Sequence, residues 1–179
     1  MTRYRFEIGG SWDGGPLLPG ERARIELTLG EPVRIGIEAT AYGDAPPPAP
    51  PGRCDGLWNH EVVELFLLGS GERYLELEFG PHGHWLALRL EGRRRLVTSD
   101  LALDYAARRE GDRWTARASF ASALLPPEPT AANAFAIHGP AAARRYLAWQ
   151  PVPGEAPDFH RLALFAPLAR ARRPESNDG

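Results

Sequence analysis

The sequence predicts an antiparallel β-sandwich of about ten short strands. Two observations lead to this fold class: apolar and polar residues alternate along many short runs, and turns rich in glycine and proline separate these runs. No stretch carries the apolar spacing of an amphipathic helix of useful length, so we expect little helix. A closed barrel would leave the same signature and remains the alternative architecture.

The N-terminal part of the chain predicts one short strand followed by a hairpin. Arg3–Ile8 can form the strand. Arg22–Leu29 and Val33–Ala41 alternate in polarity on either side of a Gly-Glu-Pro turn, so each should face the core on one side and water on the other. The proline-rich segment Asp44–Gly52 should be an exposed loop, because proline lacks the backbone donor that helices and central strands need.

The stretch from Leu57 to Leu90 predicts three neighbouring antiparallel strands joined by short turns. The first run, Val62–Leu68, is apolar on both faces and should be a central strand covered on both sides. The second and third runs each have one apolar and one mixed face, since residues two apart in a strand share a face. The mixed faces consist of Tyr74, Glu76 and Glu78 in the second run and Trp85, Ala87 and Arg89 in the third.

The C-terminal half supplies the remaining strands, which we expect at 105–109, 114–120, 133–138, 145–150 and 161–165. One helical turn is expected at Ser122–Leu125, because the two prolines that follow would end it. With 179 residues and no internal repeat, the chain should form a single domain over residues 1–168, followed by a flexible tail over residues 169–179.

Composition argues against several classes of function. A formal net charge of −2 disfavours nucleic-acid binding, although all 21 basic residues are arginine. The one cysteine, Cys54, allows neither an internal disulfide nor a thiolate metal cage, and His82 and His84 would need a third ligand to hold a metal. Since there is no signal-peptide pattern and no apolar run of membrane-spanning length, we expect a cytoplasmic protein with no membrane partner. The sequence identifies no protein partner.

Glu64 is the residue around which the sequence suggests a binding site. It interrupts a run that is apolar on both faces, where an unpaired carboxylate is costly and its pKa should rise. Arg89 is the expected partner, because its planar guanidinium can hold a carboxylate or two ligand hydroxyls. Trp58 precedes Glu64 by an even number of residues, so a regular strand would place both on one face. An indole, a carboxylate and a guanidinium would together form a polar binding site.

Four segments of the chain, in their order and with their gaps, resemble the bacterial DOMON-like domains related to the family 9 carbohydrate-binding modules. They are LWNHEVVELFLL, YLELEFGPHGHWLALRL, RYLAWQPV and PDFH, and the similarity runs from about Leu57 to Phe165. The resemblance implies a jelly-roll-like β-sandwich that binds a sugar, or haem in other branches of the superfamily.

The resemblance also implies a set of ligand-binding residues. In the sugar-binding branch a terminal sugar is held by a Trp, a Glu six residues later, an Arg on a following strand and a second Trp nearer the C-terminus. Trp58 and Glu64 match the first two in type and spacing, Arg89 fits the third, and Trp149 fits the second Trp. Asn59 and its neighbour His60 replace the acidic or polar residues that often follow the first Trp in that family.

Glu76 and His160 complete the predicted ligand-binding residues. Glu76 lies on the strand next to Glu64, and Asp158 could fix the tautomer of His160. The leading hypothesis is a non-catalytic module that binds a mono- or oligosaccharide and uses no cofactor. One alternative is a haem-binding or redox-associated sensor with histidine ligands only. Another is a glycoside hydrolase with Glu64 and Glu76 as its carboxyl pair.

Overall fold

A computed structural model describes residues 1–173 and confirms the antiparallel β-sandwich, with fourteen strands in two sheets. The five-stranded sheet consists, in spatial order, of β1 (Arg3–Ile8), β3 (Ala23–Thr28), β4 (Val33–Thr40), β11 (Arg113–Phe120) and β10 (Asp104–Glu110). The main path of the nine-stranded sheet consists of β2 (Gly10–Ser11), β13 (Arg145–Ala148), β12 (Ala131–His138), β6 (Val62–Leu68), β7 (Arg73–Phe79), β8 (His84–Glu91) and β5 (Gly52–Arg53). Its remaining strands are β9 (Leu96–Thr98), which pairs with β8, and β14 (Ala166–Pro167), which pairs with β12.

The helical segments of the described chain are all short 3-10 turns, in agreement with the expected low helix content. They are Leu57–Asn59, Ser70–Glu72, Ser122–Leu124, Ala141–Ala143, Leu162–Leu164 and Leu168–Ala171. Within residues 1–173, no helix has the length and the apolar character needed to cross a bilayer.

The main core lies between the two sheets. The predicted hairpin is β3–β4, whose register places Ile25 opposite Ile37 and Leu27 opposite Ile35, with all four side chains buried. Trp114 of β11 is also buried in this layer. The alternation of apolar and polar residues therefore fixes which face of the five-stranded sheet meets its partner.

The nine-stranded sheet is covered on both faces. The central strand β6 is buried from Val62 to Leu67, as its doubly apolar sequence predicts. A second apolar cluster lies on the outer face of this sheet, where Phe159 and Phe165 from the C-terminal segment pack over it. The mixed face of β7 is consequently buried rather than solvated, because residues distant in sequence cover it.

One expectation for the C-terminal part is wrong. The strand expected at 161–165 is a 3-10 turn, which brings Phe165 to 5.8 Å from Phe66 between ring centroids instead of extending the sheet. The flexible tail over residues 169–179 stays a prediction, although Leu168–Ala171 packs on the core and the Arg173 N–H donates to the Arg3 carbonyl at 2.9 Å. The rest of the expected tail lies outside the described residues.

One pairing departs from the antiparallel pattern. Gly52–Arg53, at the end of the expected proline-rich loop, runs parallel to the start of β8, opposite His84 and Trp85. The Cys54 N–H donates to the Trp85 carbonyl at 2.9 Å and continues this contact. The loop is thereby tied to the edge of the nine-stranded sheet just before the turn that carries Trp58.

Candidate functional site

A cavity of about 730 Å³ lies on the outer face of the nine-stranded sheet, away from the five-stranded sheet. Strands β6, β7 and β8 form its floor and wall, because every second side chain of a strand points to the same face. The residues that line it include Glu64, Phe66, Glu76, Leu86, Leu88 and Leu90 from the sheet and Trp58, Asn59, Arg94, Arg144, Tyr146, Phe159 and His160 from the covering segments.

Two glutamates, Glu64 and Glu76, line the floor of the cavity, and a third, Glu78, is fully buried next to them. Glu64 of β6 is the direct cross-strand partner of Glu78 of β7, and Glu76 stands two residues before Glu78 on the same face. Cβ atoms in such direct pairs are about 5 Å apart. The side chains are buried, and in residues 1–173 no donor has good hydrogen-bond geometry to Glu76 Oε2 or to either carboxyl oxygen of Glu78, although the Glu76 carboxyl and the Trp58 backbone lie near Glu78. Ionised carboxylates here would therefore repel one another, and the charges of Arg94 and Arg144 offset this only in part.

Burial raises the pKa of all three carboxyl groups. Burial raises the pKa of Glu76 to about 8, although the Arg94 charge opposes the shift. Burial, followed by the charge of Glu76, raises the pKa of Glu64 well above its ordinary value, while Arg144 lowers it. Burial and the charges of Glu64 and Glu76 raise the pKa of Glu78 in the same direction. Glu76 is therefore mainly protonated at neutral pH, and the charged forms of Glu64 and Glu78 are disfavoured in the same way.

The Tyr74 hydroxyl orients His160 at one side of the floor. This oxygen accepts the backbone N–H of Arg94 at 3.0 Å and lies 2.8 Å from His160 Nδ1, to which it can donate its own proton. Burial, followed by the Arg94 charge, lowers the pKa of His160 to about 4, so the ring is neutral above that pH. Its proton then resides on Nε2, which lies 3.9 Å from Glu76 Oε2. His160 therefore presents an N–H donor to the cavity floor.

Trp58 stands at the mouth of the cavity with 46% of its surface exposed. Its position depends on Arg144, whose guanidinium donates to the carbonyl oxygens of Trp58 (3.1 Å), His60 (2.7 Å) and Gly139 (2.9 Å). Since three hydrogen bonds from one rigid planar group fix two loops together, Arg144 holds the indole in place over the floor.

Arg94 and Asp158 form the opposite side of the mouth. Asp158 pairs with Arg94 at 2.9 Å and with Arg93, and it also accepts the backbone N–H of His160 at 3.1 Å. Burial raises the pKa of Asp158, but its two arginine partners outweigh burial and hold that pKa below its ordinary value. Asp158 thus fixes the backbone of His160, whereas the predicted role in setting the tautomer belongs to Tyr74.

The wall of the cavity is apolar. Leu86, Leu88 and Leu90 project from β8 into it, and Phe159 stacks on Phe135 at 3.8 Å between nearly parallel rings. The cavity therefore combines a carboxyl-rich floor, a hydrocarbon wall and an exposed indole at its mouth. Such a surface suits a ligand that has both C–H faces and polar groups.

Four of the six predicted ligand-binding residues line this cavity: Trp58, Glu64, Glu76 and His160. The prediction that Trp58 and Glu64 share one face of a strand is wrong, because Trp58 lies on the 3-10 turn Leu57–Asn59 and not on the strand that carries Glu64. The two residues meet because this turn stands over the sheet, not because they share the alternation of one strand. Their roles in binding stay predictions.

Arg89 and Trp149 do not reach the cavity, so their expected places beside Glu64 are wrong. On β8 the leucines face the cavity, which turns Arg89 to the opposite face, where it lies opposite Leu75 and donates to the Ala123 carbonyl at 3.4 Å. Trp149 packs edge-to-face on Phe6 at 5.0 Å in the core between the sheets. The sequence correctly predicts that the leucines and Arg89 lie on opposite faces of β8. It predicts the wrong surroundings for these faces, because the leucines line the cavity and Arg89 points away from it.

Sequence reasoning missed four residues of the site: Tyr74, Glu78, Arg94 and Arg144. The alternation of β7 placed the first two on the face of Glu76, and this was the available signal for them. Arg94 stood in a short basic cluster that suggests a solvated loop. Nothing in the local sequence of Arg144 indicates that it reaches the loop of Trp58.

The other histidines considered as ligands contact backbone carbonyls. His84 Nε2 lies 2.8 Å from the Ala49 carbonyl oxygen, and His82 Nε2 lies 3.3 Å from that of Asp44. In residues 1–173 no three acidic, histidine or cysteine side chains are arranged to hold a metal ion. The histidines of this region therefore anchor the proline-rich loop to the sheet.

No protein-family model matches the chain. The UPF0462 protein C4orf33 homolog of Mus musculus is 40% identical to it over 174 residues, which cover 92% of this chain and 90% of the mouse protein. The relative is therefore aligned along nearly its whole length.

Two solved structures resemble the fold. A Bacteroides uniformis protein, provisionally assigned as carbohydrate-binding, superposes with a TM-score of 0.70 at 14% identity, covering 92% of this chain and 84% of its own. A family 9 carbohydrate-binding module from Caldicellulosiruptor kristjanssonii in complex with glucose gives a TM-score of 0.48 at 13% identity, covering 82% and 74%. The first likeness supports the sandwich fold, and the second is too low to add to it. The expected relation to DOMON-like domains stays a prediction.

Proposed function

We propose that this chain, which belongs to the UPF0462 protein family, is a non-catalytic module that binds a mono- or oligosaccharide in the cavity beneath Trp58. One observation carries the proposal: an exposed indole stands at the mouth of a cavity of about 730 Å³ whose floor holds the buried carboxyls of Glu64 and Glu76. The Bacteroides protein of similar fold, provisionally assigned as carbohydrate-binding, supports it.

The chemistry of a sugar fits these groups. A pyranose has a face of C–H groups, which an indole such as Trp58 and the leucines of β8 can cover. Its hydroxyls both donate and accept, and the carboxyls of Glu64 and Glu76 and the Nε2–H of His160 offer matching partners. Because a ligand in this cavity would satisfy buried oxygens that otherwise lack a partner, binding would remove an existing cost.

The same electrostatics argues against glycoside hydrolysis. A retaining or inverting glycosidase needs one protonated carboxyl and one ionised carboxyl, so the pKa of the first must be raised while the pKa of the second stays low. Here burial raises the pKa of both Glu64 and Glu76, and the charge of Glu76 raises that of Glu64 further. Because both shifts go in the same direction, neither carboxyl is set apart as the ionised nucleophile or base that the reaction requires.

The haem alternative and the cytoplasmic location stay predictions. His160 is the one imidazole among the residues that line the cavity, and its Nδ1 is already bonded to Tyr74. A second axial histidine is therefore missing from this lining, which is why the sugar proposal is preferred. A visible absorption band after reconstitution with haem would reverse that preference.

Replacing Trp58 with Ala is expected to weaken sugar binding about fivefold or more, because stacking on an indole contributes about 1 kcal/mol or more to affinity. The measurement is calorimetric titration of wild-type protein and variant with a panel of mono- and oligosaccharides. Arg89→Ala is the matched control, since Arg89 lies on the same sheet but faces away from the cavity. Equal affinity of Trp58→Ala and the wild type for every sugar that binds would contradict the proposed site.

A further inference from the structure

The floor of the cavity lacks a positive charge of its own. Glu64, Glu76 and Glu78 lie together, and in residues 1–173 no ion pair with an arginine reaches any of their oxygens. Glu76 Oε2 is the sharpest case, because Glu76 is only 4% exposed, lines the cavity and leaves this oxygen without a hydrogen bond. A buried carboxyl oxygen that faces a cavity and has no partner indicates that a ligand donor belongs there.

The arginines that line the cavity are committed elsewhere. Arg94 forms its ion pair with Asp158 at 2.9 Å. The guanidinium of Arg144 donates to three backbone carbonyls, and its Nη1 lies 3.9 Å from Asp44 Oδ2. The remaining acid of the lining, Asp55, is paired with Arg53 at 2.8 Å. The arginines at the mouth thus have partners of their own, and in residues 1–173 none of them forms an ion pair with a glutamate of the floor.

We propose, building on the sugar-binding function, that the ligand is an amino sugar whose protonated amino group binds between Glu64 and Glu76. An ammonium group supplies three N–H donors and one positive charge, which the unpartnered carboxyl oxygens of the floor can accept. The C–H face of the ring lies against the leucines of β8 and the indole of Trp58. The neutral His160 ring, which presents Nε2–H to the floor, does not repel the incoming cation as an imidazolium would.

Two other occupants fit the site less well. A hard metal ion such as Ca²⁺ takes six to eight oxygen ligands, whereas the described residues hold no metal-binding group of three or more and the wall of the cavity is hydrocarbon. A neutral sugar could donate hydroxyls to the floor, but unlike an ammonium group it would bring no positive charge to favour ionised carboxyls there. An amino sugar combines the cation with the ring.

Binding of such a cation should release protons. Burial and mutual repulsion disfavour the charged forms of these glutamates in the free protein, and Glu76, with a pKa raised to about 8, is mainly protonated at pH 6.5. A bound ammonium favours the ionised form of the carboxyls that it contacts, so protons leave as the ligand enters. The other groups around the floor are His160, Tyr74, Arg94 and Arg144, and none of them faces the floor as a competing acid.

The test compares three hexosamines with their parent hexoses at pH 6.5, where the amino group is protonated. The probes are D-glucosamine, D-galactosamine and D-mannosamine against D-glucose, D-galactose and D-mannose, with cyclohexylamine as a six-membered amine without hydroxyls. Calorimetry in two buffers of different ionisation enthalpy measures affinity and proton release together. We expect at least one hexosamine to bind tenfold or more tighter than its parent hexose, with net proton release.

Each outcome separates this inference from the sugar-binding function on which it rests. Equal binding of a hexosamine and its parent hexose overturns the amine inference and leaves sugar binding standing. Equal binding of cyclohexylamine and the hexosamines, with no hexose binding, supports recognition of the amine and overturns sugar binding. No binding by any probe overturns both.

Glu76→Gln gives the decisive variant. It keeps the shape of the side chain but removes the ionisable group, so we expect a tenfold or greater loss of hexosamine affinity, a smaller loss of parent-hexose affinity and a smaller proton release. Glu7→Gln is the control, because Glu7 is exposed on the five-stranded sheet. Full retention of the hexosamine preference in Glu76→Gln would contradict the proposed role of the floor.

Discussion

Replacing Glu76 with Gln should stabilise the protein at pH 8 by on the order of 3 kcal/mol and leave its stability near pH 4.5 almost unchanged. Burial raises the pKa of Glu76 to about 8 in the folded chain, from the 4.5 of an ordinary glutamate. A carboxyl with a raised folded pKa contributes fully below its unfolded pKa, and this contribution is lost as pH rises through the folded value. The gain from Gln should therefore grow between pH 4.5 and 8.

Thermal unfolding over this pH range checks the expectation. For a chain of this size, 3 kcal/mol corresponds to about 10 °C in melting temperature. Glu78→Gln should behave in the same way, since Glu78 is fully buried and both of its carboxyl oxygens lack a partner. Glu7→Gln should follow the wild type at every pH, because Glu7 is exposed.

The wild type should itself lose stability from pH 6.5 to 8. The lowered pKa of His160 makes stability rise with pH, but only between about pH 4 and 6.5. Above that range the imidazole is neutral in both the folded and the unfolded chain. The glutamates then dominate. A Glu76→Gln variant that melts like the wild type at pH 8 would show that the floor is not the strained region that its geometry indicates.

Replacing Glu21 with Ala is expected to destabilise the protein by about 3 to 5 kcal/mol at neutral pH, the range found when one partner of a buried ion pair is removed. The Glu21 carboxylate is 3% exposed. It accepts hydrogen bonds from Arg145 at 2.7 and 2.9 Å, from His138 at 2.9 Å and from the Leu18 N–H at 2.6 Å. Without it, His138, which is buried, and Arg145, which is half-buried, lose this acceptor.

The pH dependence of this effect has the opposite sign to that of Glu76. Burial raises the pKa of Glu21, but Arg145, Leu18 and His138 outweigh burial and lower it to about 2. A lowered carboxyl contributes stability above its unfolded pKa, and this contribution is lost as pH falls through the folded value. The difference between Glu21→Ala and the wild type should thus shrink from pH 4.5 to 2.

Chemical denaturation at pH 7, 4.5 and 3 measures this difference. Glu26→Ala is the matched control: Glu26 also pairs with an arginine, Arg5, at 2.6 Å, but the pair is exposed and should contribute less than about 1 kcal/mol. Equal losses in the two variants would mean that burial does not make the Glu21 network stronger than a surface pair.

The sequence predicts those parts of the fold in which the polarity pattern of a single strand shows which of its faces are buried. The hairpin β3–β4 alternates cleanly because one face packs on the core, and β6 is apolar on both faces because both are covered. The burial of Glu76 and Glu78 could not be predicted from β7. The segments that cover them, around Arg94 and Phe159, lie far along the chain, and the alternation of a strand does not reveal what packs over it.

The residues of the candidate site likewise divide into those that a local sequence pattern predicts and those that it does not. Glu64 was found because a carboxyl is out of place in a doubly apolar strand, and its raised pKa follows from the same reasoning. Arg89 was chosen as its partner because an arginine on a nearby strand is the simplest compensation. The charges that bear on Glu64 come instead from the neighbouring Glu76 and from Arg144, which reaches the site through the order of the sheet strands rather than through a local pattern.

The packing of Leu168–Ala171 against β1 brings the two ends of the described fold side by side, with the Arg173 N–H bonded to the Arg3 carbonyl. A short linker could join these ends without moving either sheet, so the order of the segments along the chain could be rearranged circularly. New termini within the proline-rich stretch Asp44–Pro51 would open the chain at the rim of the sandwich. The architecture is thus defined by which strands are neighbours and not by where the polypeptide starts.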